Sequence, residues 1–244
     1  MNDRIYEISR SGLTDADDRM KQLMNDVVNA RTPGFKKSES VTRSFALELE
    51  ESQRRLRGGE VPRSEGTFFS HIQGALVPTK QPWDLTIGND GFFVLQGPQG
   101  LIYTRDGRFK VLSDGSVVSS TNNYPLLGSY GPVVVDPQKT SEITGIGEVR
   151  SGDEIVNKIR VVNFENAQLL KSYNGVLFYN PSLAGQTEVT DPKIVRGYLE
   201  ASNANIAEEM MNMYSLRQQY NFNAKVIEIR NQMLSRAQEL VPKQ

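Results

Sequence analysis

Apolar residues recur at steps of three and four at both ends of the chain, and this spacing predicts a long amphipathic α-helix at each terminus. The first covers residues 1–35 and stops at the letters TPG, because the proline disfavours helix before it and the glycine accepts a positive φ. The second lies in residues 201–244 and begins after Asn205, a capping residue. The apolar stripes contain Ile5, Leu13, Ala16, Met20, Leu23 and Val27 on the first helix, and Ile206, Met210, Met213, Leu216, Tyr220, Ala224, Ile227 and Leu234 on the second.

Between residues 81 and 200 the apolar period changes to two, which predicts an all-β domain. The run 108–111 alternates between polar and apolar residues, and 133–137 and 159–164 are predicted as further strands. Aspartate or asparagine followed by glycine separates several alternating runs, and such pairs suit hairpin turns because they accept a positive φ. The predicted turns are at Asp90-Gly91, Asp106-Gly107, Asp114-Gly115 and Asn174-Gly175.

Residues 36–80 are predicted to be an extended connector arm, since glycines and prolines interrupt them, although 45–56 could form a short helix.

The second terminal helix has apolar residues on two offset edges, and an antiparallel contact with the first helix would cover only one edge. We therefore expect the stripe residues to form interfaces with other chains. The predicted fold class is α+β, with a central all-β domain flanked by long N- and C-terminal α-helices that pair in a coiled-coil-like assembly core.

Charge and composition narrow the possible partners. The 244 residues include 28 basic and 29 acidic side chains, a balance that argues against a nucleic-acid partner. Neither a membrane-spanning apolar run nor a secretory signal peptide is visible, so we expect no direct membrane insertion and no cleaved leader. The absence of cysteine excludes disulfides and thiolate metal sites.

Candidate chemistry is sparse. His71 is the only histidine, which excludes a histidine-clustered metal centre and makes a structural role for this residue the better interpretation. No G-x-S-x-G motif occurs, and DLTIGNDGFF lacks the G-x-G-x-x-G spacing of a phosphate-binding loop. We predict no catalytic, cofactor-binding or metal-binding residues, no cofactor, and no enzymatic activity.

Three patches of the sequence resemble the bacterial flagellar basal-body rod and hook proteins. NDVVNARTPGFKK at 25–37 is similar to the family's N-terminal signature, and WDLTIGNDGFFVL with YTRDGRF within 83–109 is similar to its central motif. GYLEASNANIAEEMMNM, starting at residue 197, is similar to its C-terminal helix. The residues that carry the resemblance include Asn25, Asn29, Thr32, Gly34, Phe35, Gly91, Phe92, Phe93, Arg105, Asp106, Gly107, Ser202 and Asn203.

This resemblance implies a structural subunit of the flagellar rod that polymerises through its terminal helices into a rigid tubular drive shaft. It further implies location in the basal body, in the periplasm, after export without a cleaved signal peptide. The implied partners are copies of the chain, other rod and hook proteins, and the flagellar export apparatus. The sequence favours a proximal-rod type over a distal-rod type, and a distal-rod or hook-type axial protein is the alternative within the family.

Two interpretations from other classes stay open: a soluble β binding module whose termini dock on an unrelated partner, and an enzyme with an acidic site assembled by folding. Deleting residues 1–35 or 203–244 discriminates among them. A rod subunit would keep a folded β domain but lose incorporation into basal bodies. A binding module would instead form a one-to-one complex, and an enzyme would lose activity when carboxylates of the β domain are changed.

Overall fold

The chain forms a helical unit and a β unit. In the helical unit, α1 spans Asn2–Val28 and α2 spans Ile206–Glu239. The β unit comprises Ala30–Asn203. Neither helix combines the length and apolar character needed to cross a lipid bilayer, as judged over the part of the chain that is described. The computed structural model describes residues 2–40, 67–181 and 185–239.

Helix α2 begins at the predicted position because Asn205 caps it. The Asn205 Oδ1 atom accepts a hydrogen bond from the backbone N–H of Ala207 at 3.1 Å, and its carbonyl accepts the N–H of Glu209 at 2.9 Å. Glu208 and Glu209 lie in the first turn, where carboxylates interact favourably with the positive end of the helix dipole. The predicted end of α2 near residue 240 lies outside the described residues.

The predicted fold class, an α+β fold with terminal helices paired in a coiled-coil-like assembly core, is wrong. The described residues hold one helix at each end and a large β-rich region between them, and the helices do not pair as a coiled coil. A heptad seam would bury a side chain every three or four residues. Among the described side chains of the helical unit, few are buried, and two of those are carboxylates: Ala16, Asp26, Ala204, Glu209 and Leu216.

The two helices contact each other where Gly12 lies against Asn223. A Cβ atom added at Gly12 would be 2.7 Å from Asn223 Nδ2, so this contact joins a glycine to a polar side chain instead of interlocking apolar ones. The large apolar residues of α2 are spread around the helix, which leaves many of them exposed. These are Met210, Met211, Tyr214, Tyr220, Phe222, Ile229 and Met233.

The β unit contains nineteen short strands and one 3-10 helix, Ala167–Leu169, among its described residues. In chain order the strands are β1 Ser38–Ser40, β2 Thr67–Phe69, β3 Leu76–Pro78, β4 Leu85–Ile87, β5 Phe92–Gly97, β6 Gly100–Thr104, β7 Phe109–Val111, β8 Val117–Ser119, β9 Leu127–Gly128, β10 Gly131–Pro132, β11 Ser141–Ile143, β12 Glu148–Ser151, β13 Glu154–Lys158, β14 Val161–Phe164, β15 Lys171–Ser172, β16 Leu177–Tyr179, β17 Gln186–Glu188, β18 Ile194–Arg196 and β19 Tyr198–Glu200.

A six-stranded antiparallel sheet with the order β15-β16-β6-β5-β14-β17 forms the centre of the unit. A three-stranded sheet has the order β11-β12-β13, and the other strands form antiparallel pairs. Among these pairs, β3 pairs with β19, and β1 pairs with β2. Both pairs join sequence near the N-terminal helix or the C-terminal helix to the body of the β unit.

Both faces of the central sheet are buried. In β5, Phe93 and Leu95 enter the larger apolar cluster, and Phe92 and Val94 enter a second cluster on the other face. Successive side chains of a strand point to opposite faces, so a strand covered on both sides has a continuous apolar run. The letters FFVL of this strand show that run. Consequently the β unit has its own core.

Two of the four predicted hairpin turns are confirmed. Gly115 connects β7 with β8 and Gly175 connects β15 with β16, at φ values of +85° and +77°. The predicted hairpins at Asp90-Gly91 and Asp106-Gly107 are wrong, because the strands on either side of each pair do not pair with each other. The alternating run 108–111 contains β7, and the predicted strand 159–164 contains β14.

The predicted strand at 133–137 is wrong, since Val134 makes only an isolated bridge to Ser116. In the predicted connector 36–80, the described residues include β1, β2 and β3. The remainder, 41–66, lies outside the described residues, and so does the possible helix at 45–56. The division into a helix 1–35, a connector 36–80, a β domain 81–200 and a helix 201–244 stays a prediction.

Candidate functional site

The β unit brings parts of all three sequence patches together in a buried junction. We use this name for the contacts centred on Lys36, Arg105 and Glu200. Lys36 follows the N-terminal TPGF letters, Arg105 belongs to the central TRDG letters, and Glu200 precedes the C-terminal ASN letters. All three side chains are at most 3% exposed.

Two cations share one carboxylate at the centre of the junction. Lys36 Nζ donates to Glu200 Oε1 at 2.5 Å and to the carbonyl of Ile72 at 2.7 Å. Arg105 Nη1 donates to Glu200 Oε2 at 3.2 Å, and the backbone N–H of Gly74 donates to Glu200 Oε1 at 3.1 Å. Glu200 therefore binds three donors from three separate stretches of chain.

Burial sets the electrostatics of this site. It lowers the pKa of Lys36 and of Arg105 below their ordinary values, and the negative charge of Glu200 opposes the change in both cases. Removing one partner from a buried ion pair leaves an uncompensated charge in a low-dielectric interior. The junction is therefore sensitive to the loss of any member.

Backbone hydrogen bonds fasten the N-terminal segment to the C-terminal one. The N–H of Gly34 donates to the carbonyl of Glu200 at 2.8 Å. Asn203 accepts from the N–H of Lys37 at 2.8 Å, and its amide donates to the carbonyl of Ser70 at 2.7 Å. Ser202, the neighbouring motif residue, is half-buried and has a partner of its own. The Asn203 side chain thus joins two segments that are distant in sequence.

Two motif glycines allow backbones to approach each other closely. Gly34 has a φ of +70°, and a Cβ atom there would lie 2.2 Å from the backbone nitrogen of Asp106. A Cβ atom at Gly107 would lie 1.6 Å from the carbonyl oxygen of Leu85. Real Cβ atoms do not approach other atoms this closely, so both positions require glycine.

The central motif is held by polar contacts of its own. Asp106 forms a bidentate ion pair with Arg108, with distances of 2.9 Å to Nε and 2.7 Å to Nη2. Its backbone N–H donates to Thr104 Oγ1 at 3.0 Å. The Arg105 guanidinium carbon lies 5.5 Å from the centroid of the Phe92 ring, an attractive cation–π arrangement.

Phe35 is fully buried and packs against a turn of the central sheet. A Cβ atom added at Gly175 would lie 2.3 Å from the Phe35 ring, so the ring occupies the space that a side chain would need. The N–H of Lys36 donates to the carbonyl of Gly175 at 2.9 Å. The residue after the N-terminal TPGF letters is therefore bonded directly to the turn between β15 and β16.

His71 lies beside the junction between aromatic rings. Its ring centroid is 5.3 Å from those of both Phe92 and Phe178, and Nε2 is 3.0 Å from the carbonyl oxygen of Ala167. Burial, reinforced by the charges of nearby cations, lowers the pKa of His71 to about 4. Imidazole is therefore neutral near pH 7, in agreement with a structural role.

The remaining motif residues lie outside the junction. Phe93 is in the apolar cluster on the other face of the sheet, and Gly91 precedes β5 with a φ of +143°. Asn25 and Asn29 are in the helical unit, where Asn29 Nδ2 donates to the Asn25 carbonyl at 2.9 Å. Thr32 accepts the N–H of Phe35 through its carbonyl at 3.2 Å, which forms the turn after α1.

The residues predicted to form subunit interfaces differ in exposure. Ala16 and Leu216 are buried, and the side chain of Ile5 lies outside the described residues. Exposed are Ile206, Met210 and Tyr220. Half-buried are Leu13, Met20, Leu23, Val27, Met213, Ala224, Ile227 and Leu234. Their role as interface residues stays a prediction.

Sequence reasoning selected Arg105 and Asn203 but missed Lys36 and Glu200, the other two charges of the junction. Both lie inside the quoted patches. Glu200 is a charged residue between a leucine and an alanine, which was an available signal, whereas Lys36 is followed by a second lysine and does not stand out. Chemically, the junction can hold chain segments together, and no group of three or more possible metal ligands exists among the described residues.

Comparison with known proteins places the same patches in one family. The model for the C-terminal region of flagellar basal body rod FlgEFG proteins matches residues 195–240. The model for the D1 domain of flagellar hook proteins FlgE/F/G matches residues 86–150. The two matched ranges contain Glu200 and Arg105, respectively.

Proteins similar to this chain over nearly its whole length belong to the same family. The flagellar basal-body rod protein FlgG of Buchnera aphidicola subsp. Baizongia pistaciae is 30% identical, covering 94% of this chain and 96% of that protein. The FlgG protein of Borreliella burgdorferi is 28% identical, with coverage of 94% and 96%. The rod protein FlgF of Mesorhizobium japonicum is 27% identical, with coverage of 93% and 92%. The chain therefore belongs to the flagellar basal-body rod protein family and is a structural subunit of the rod in the flagellar basal body.

Proposed function

We propose that this subunit polymerises by packing exposed apolar residues of its terminal helices against neighbouring copies and other rod subunits, and thereby forms a rigid tube. The exposure of α2 carries the proposal. Met211 is 74% exposed and Phe222 is 70% exposed, in a helix that buries few of its described side chains. Several large apolar residues exposed along one helix indicate a protein–protein interface.

The contrast between the two units supports this assignment. In the β unit, both faces of the central sheet are covered by apolar side chains of the same chain. In the helical unit, many of the described large apolar residues of α2, such as Met211 and Phe222, are exposed. Burying a methionine or phenylalanine side chain contributes about 1.5–3 kcal/mol, so several exposed residues provide a substantial driving force for association. The predicted interface residues Ile206, Met210 and Tyr220 belong to this exposed set.

Membership of the rod family implies assembly with other flagellar rod and hook components. We further infer that the chain interacts with the flagellar export apparatus, is exported without a cleaved signal peptide, and works in the periplasm. It acts as a structural protein without catalytic activity, without a nucleic-acid partner and without direct membrane insertion. The family is a structural one, which supports this inference.

The position of the subunit along the rod is a separate proposal. The sequence favours the proximal-rod type, and a distal-rod or hook-type axial protein stays the alternative. Relatives named FlgG are 28–30% identical and relatives named FlgF are 26–28% identical, so identity alone does not separate the types. Labelling the chain in isolated basal bodies, and measuring its height along the axis, would separate them.

Charge substitution on α2 tests the assembly proposal. A strain lacking the gene would be complemented with Met210→Glu or Phe222→Glu, and incorporation into purified basal bodies would be measured by quantitative immunoblotting, together with swimming. We expect a loss of incorporation of at least tenfold. A charged side chain at an apolar interface is costly to desolvate, whereas the free helix exposes these positions to water.

Gln219→Glu is the matched control, because it places the same charge at an exposed polar position of the same helix. It is expected to incorporate normally. Circular dichroism of the purified variants would verify that all three keep wild-type helix content. Normal incorporation of both apolar variants would reject the proposal, and equal loss with Gln219→Glu would show that added charge, not lost apolar contact, is responsible.

A further inference from the structure

The turn between β15 and β16 contains an asparagine followed by glycine, Asn174-Gly175, and this pair occurs once in the chain. Asn-Gly is the dipeptide most susceptible to spontaneous deamidation, because glycine has no side chain to shield its amide nitrogen. We propose that Asn174 is a deamidation site that Ser172 protects in the folded chain, and that its conversion to isoaspartate detaches Phe35 and Lys36 from the turn.

The reaction needs only water as a co-reactant. The backbone nitrogen of Gly175 loses its proton to solvent base and attacks Cγ of Asn174, so an N–Cγ bond forms. The Cγ–Nδ2 bond breaks, and ammonia leaves. Water then opens the resulting succinimide at one of its two carbonyls, which yields aspartate or isoaspartate. Overall, one amide and one water become one carboxylate and one ammonium ion.

The folded turn restrains both reacting groups. Ser172 Oγ accepts hydrogen bonds from the backbone N–H groups of Gly175 and Asn174, and donates its own proton to the carbonyl of Leu177 at 3.2 Å. On the other side, Asn174 Oδ1 accepts the N–H groups of Val176 at 3.2 Å and Leu177 at 3.0 Å. The nucleophile therefore keeps its proton bonded, and the electrophilic amide is held toward later residues.

Asn174 is exposed, so water reaches the site once these restraints are lost. The damage would then reach the buried junction. The carbonyl of Gly175 accepts the Lys36 N–H at 2.9 Å, and the Phe35 ring fills the space beside Gly175. Isoaspartate adds one methylene group to the main chain between residues 174 and 175. The lengthened turn cannot keep both contacts in their present geometry.

The test compares deamidation of the folded full-length protein, its Ser172→Ala and Ser172→Thr variants, and wild type unfolded in urea. Samples are incubated at mildly alkaline pH, and peptide mapping by mass spectrometry measures isoaspartate at position 174. Asn123, an exposed residue that follows another turn and is not followed by glycine, serves as the internal control. Ser172→Ala is expected to deamidate several-fold faster than wild type, Ser172→Thr to resemble wild type, and the unfolded chain to be fastest. Equal rates in folded and unfolded wild type would overturn the proposal.

Two further measurements keep the proposal testable if Ser172→Ala does not fold. Hydrogen exchange of the Gly175 amide in wild type is expected to be slow, because its N–H is bonded to Ser172; exchange at the rate of an unfolded peptide would reject the protection. Aged wild-type protein carrying isoaspartate is expected to unfold at a lower temperature than a fresh Asn174→Asp variant, which gains the charge but no main-chain atom. Identical unfolding temperatures would reject the detachment of Phe35 and Lys36.

Discussion

Lys36 and Glu200 are 164 residues apart in sequence, yet their side chains form a buried ion pair with a distance of 2.5 Å between Nζ and Oε1. Lys36 follows α1 and Glu200 precedes α2. Within the β unit, this ion pair therefore joins the segment that follows α1 to the segment that precedes α2. Arg105 adds a second cation to the same carboxylate. The junction therefore depends on one acidic side chain.

Glu200→Gln is expected to destabilise the β unit by about 3–5 kcal/mol, because it leaves two buried cations without a counter-charge. Glutamine keeps the shape of the side chain, but its amide NH2 replaces one of the two acceptor oxygens, so the change removes the charge and at least one accepted hydrogen bond. The free energy of unfolding, measured by urea titration of the full chain, checks the prediction. A loss below about 1 kcal/mol would mean that water already solvates the pair as it does at a protein surface.

Glu148→Gln is the matched control for this charge removal. Glu148 pairs with Arg150 at 3.5 Å near the surface, where ion pairs contribute about 0–1 kcal/mol. A second control combines Lys36→Met with Glu200→Gln. Removing one unpaired cation should restore part of the stability lost by the single variant, which would identify buried charge as the cause.

Gly34→Ala tests whether the N-terminal segment needs a glycine for space as well as for φ. A methyl group at this position combines backbone strain with a clash against the nitrogen of Asp106, 2.2 Å from the new Cβ. We expect a loss of roughly 2–5 kcal/mol, the sum of about 1–2 for strain and about 1–3 for overpacking. Gly131→Ala provides the comparison, since Gly131 has a φ of +107° but open space around it. It should lose only the strain contribution, and equal losses in thermal unfolding would refute the role of the clash.

The sequence predicted local features more reliably than contacts between distant residues. Asn205 correctly marked the start of α2, and Gly115 and Gly175 correctly marked two hairpins. Gly107 shows why one of the two other turn predictions failed. A glycine after aspartate can supply a positive φ, but Gly107 instead provides space for the carbonyl of Leu85, and sequence does not distinguish these two uses.

The pairing of distant residues had no local signal. Nothing near Lys36 indicates that Glu200 will lie against it, because their approach depends on the complete β unit. The coiled-coil pairing of the terminal helices failed as a prediction for a related reason. Apolar periodicity identifies a helix, but the residues of α2 that could form a stripe also lie beside exposed ones such as Met211 and Phe222. Periodicity alone does not say which of them the same chain covers.

Acid should destabilise the β unit through His71. Its pKa is about 4 in the folded chain and about 6.5 when unfolded, so between these values the unfolded chain binds more protons. The stabilisation from neutral His71 is complete above pH 6.5 and is lost as the pH falls to about 4. The free energy of unfolding is expected to fall by roughly 2–4 kcal/mol over this range. His71→Gln, which keeps a donor for the carbonyl of Ala167, should show a flatter profile over this range. Urea titrations at several pH values measure it, and parallel profiles for wild type and variant would contradict the assignment.

Leu216 and Met211 lie on the same helix and provide the sharpest separation of folding from assembly. Leu216 is 4% exposed and Met211 is 74% exposed, so Leu216→Ala should cost about 2–5 kcal/mol of helical-unit stability, whereas Met211→Ala should change it by no more than about 0.5 kcal/mol. Loss of helical circular dichroism during urea titration measures both. Incorporation into basal bodies is the second measurement. Met211→Ala is expected to reduce incorporation without changing stability, because the exposed Met211 side chain can contact a neighbouring subunit. If Met211→Ala instead unfolds the helix, that side chain is buried within its own chain and cannot serve as an interface residue.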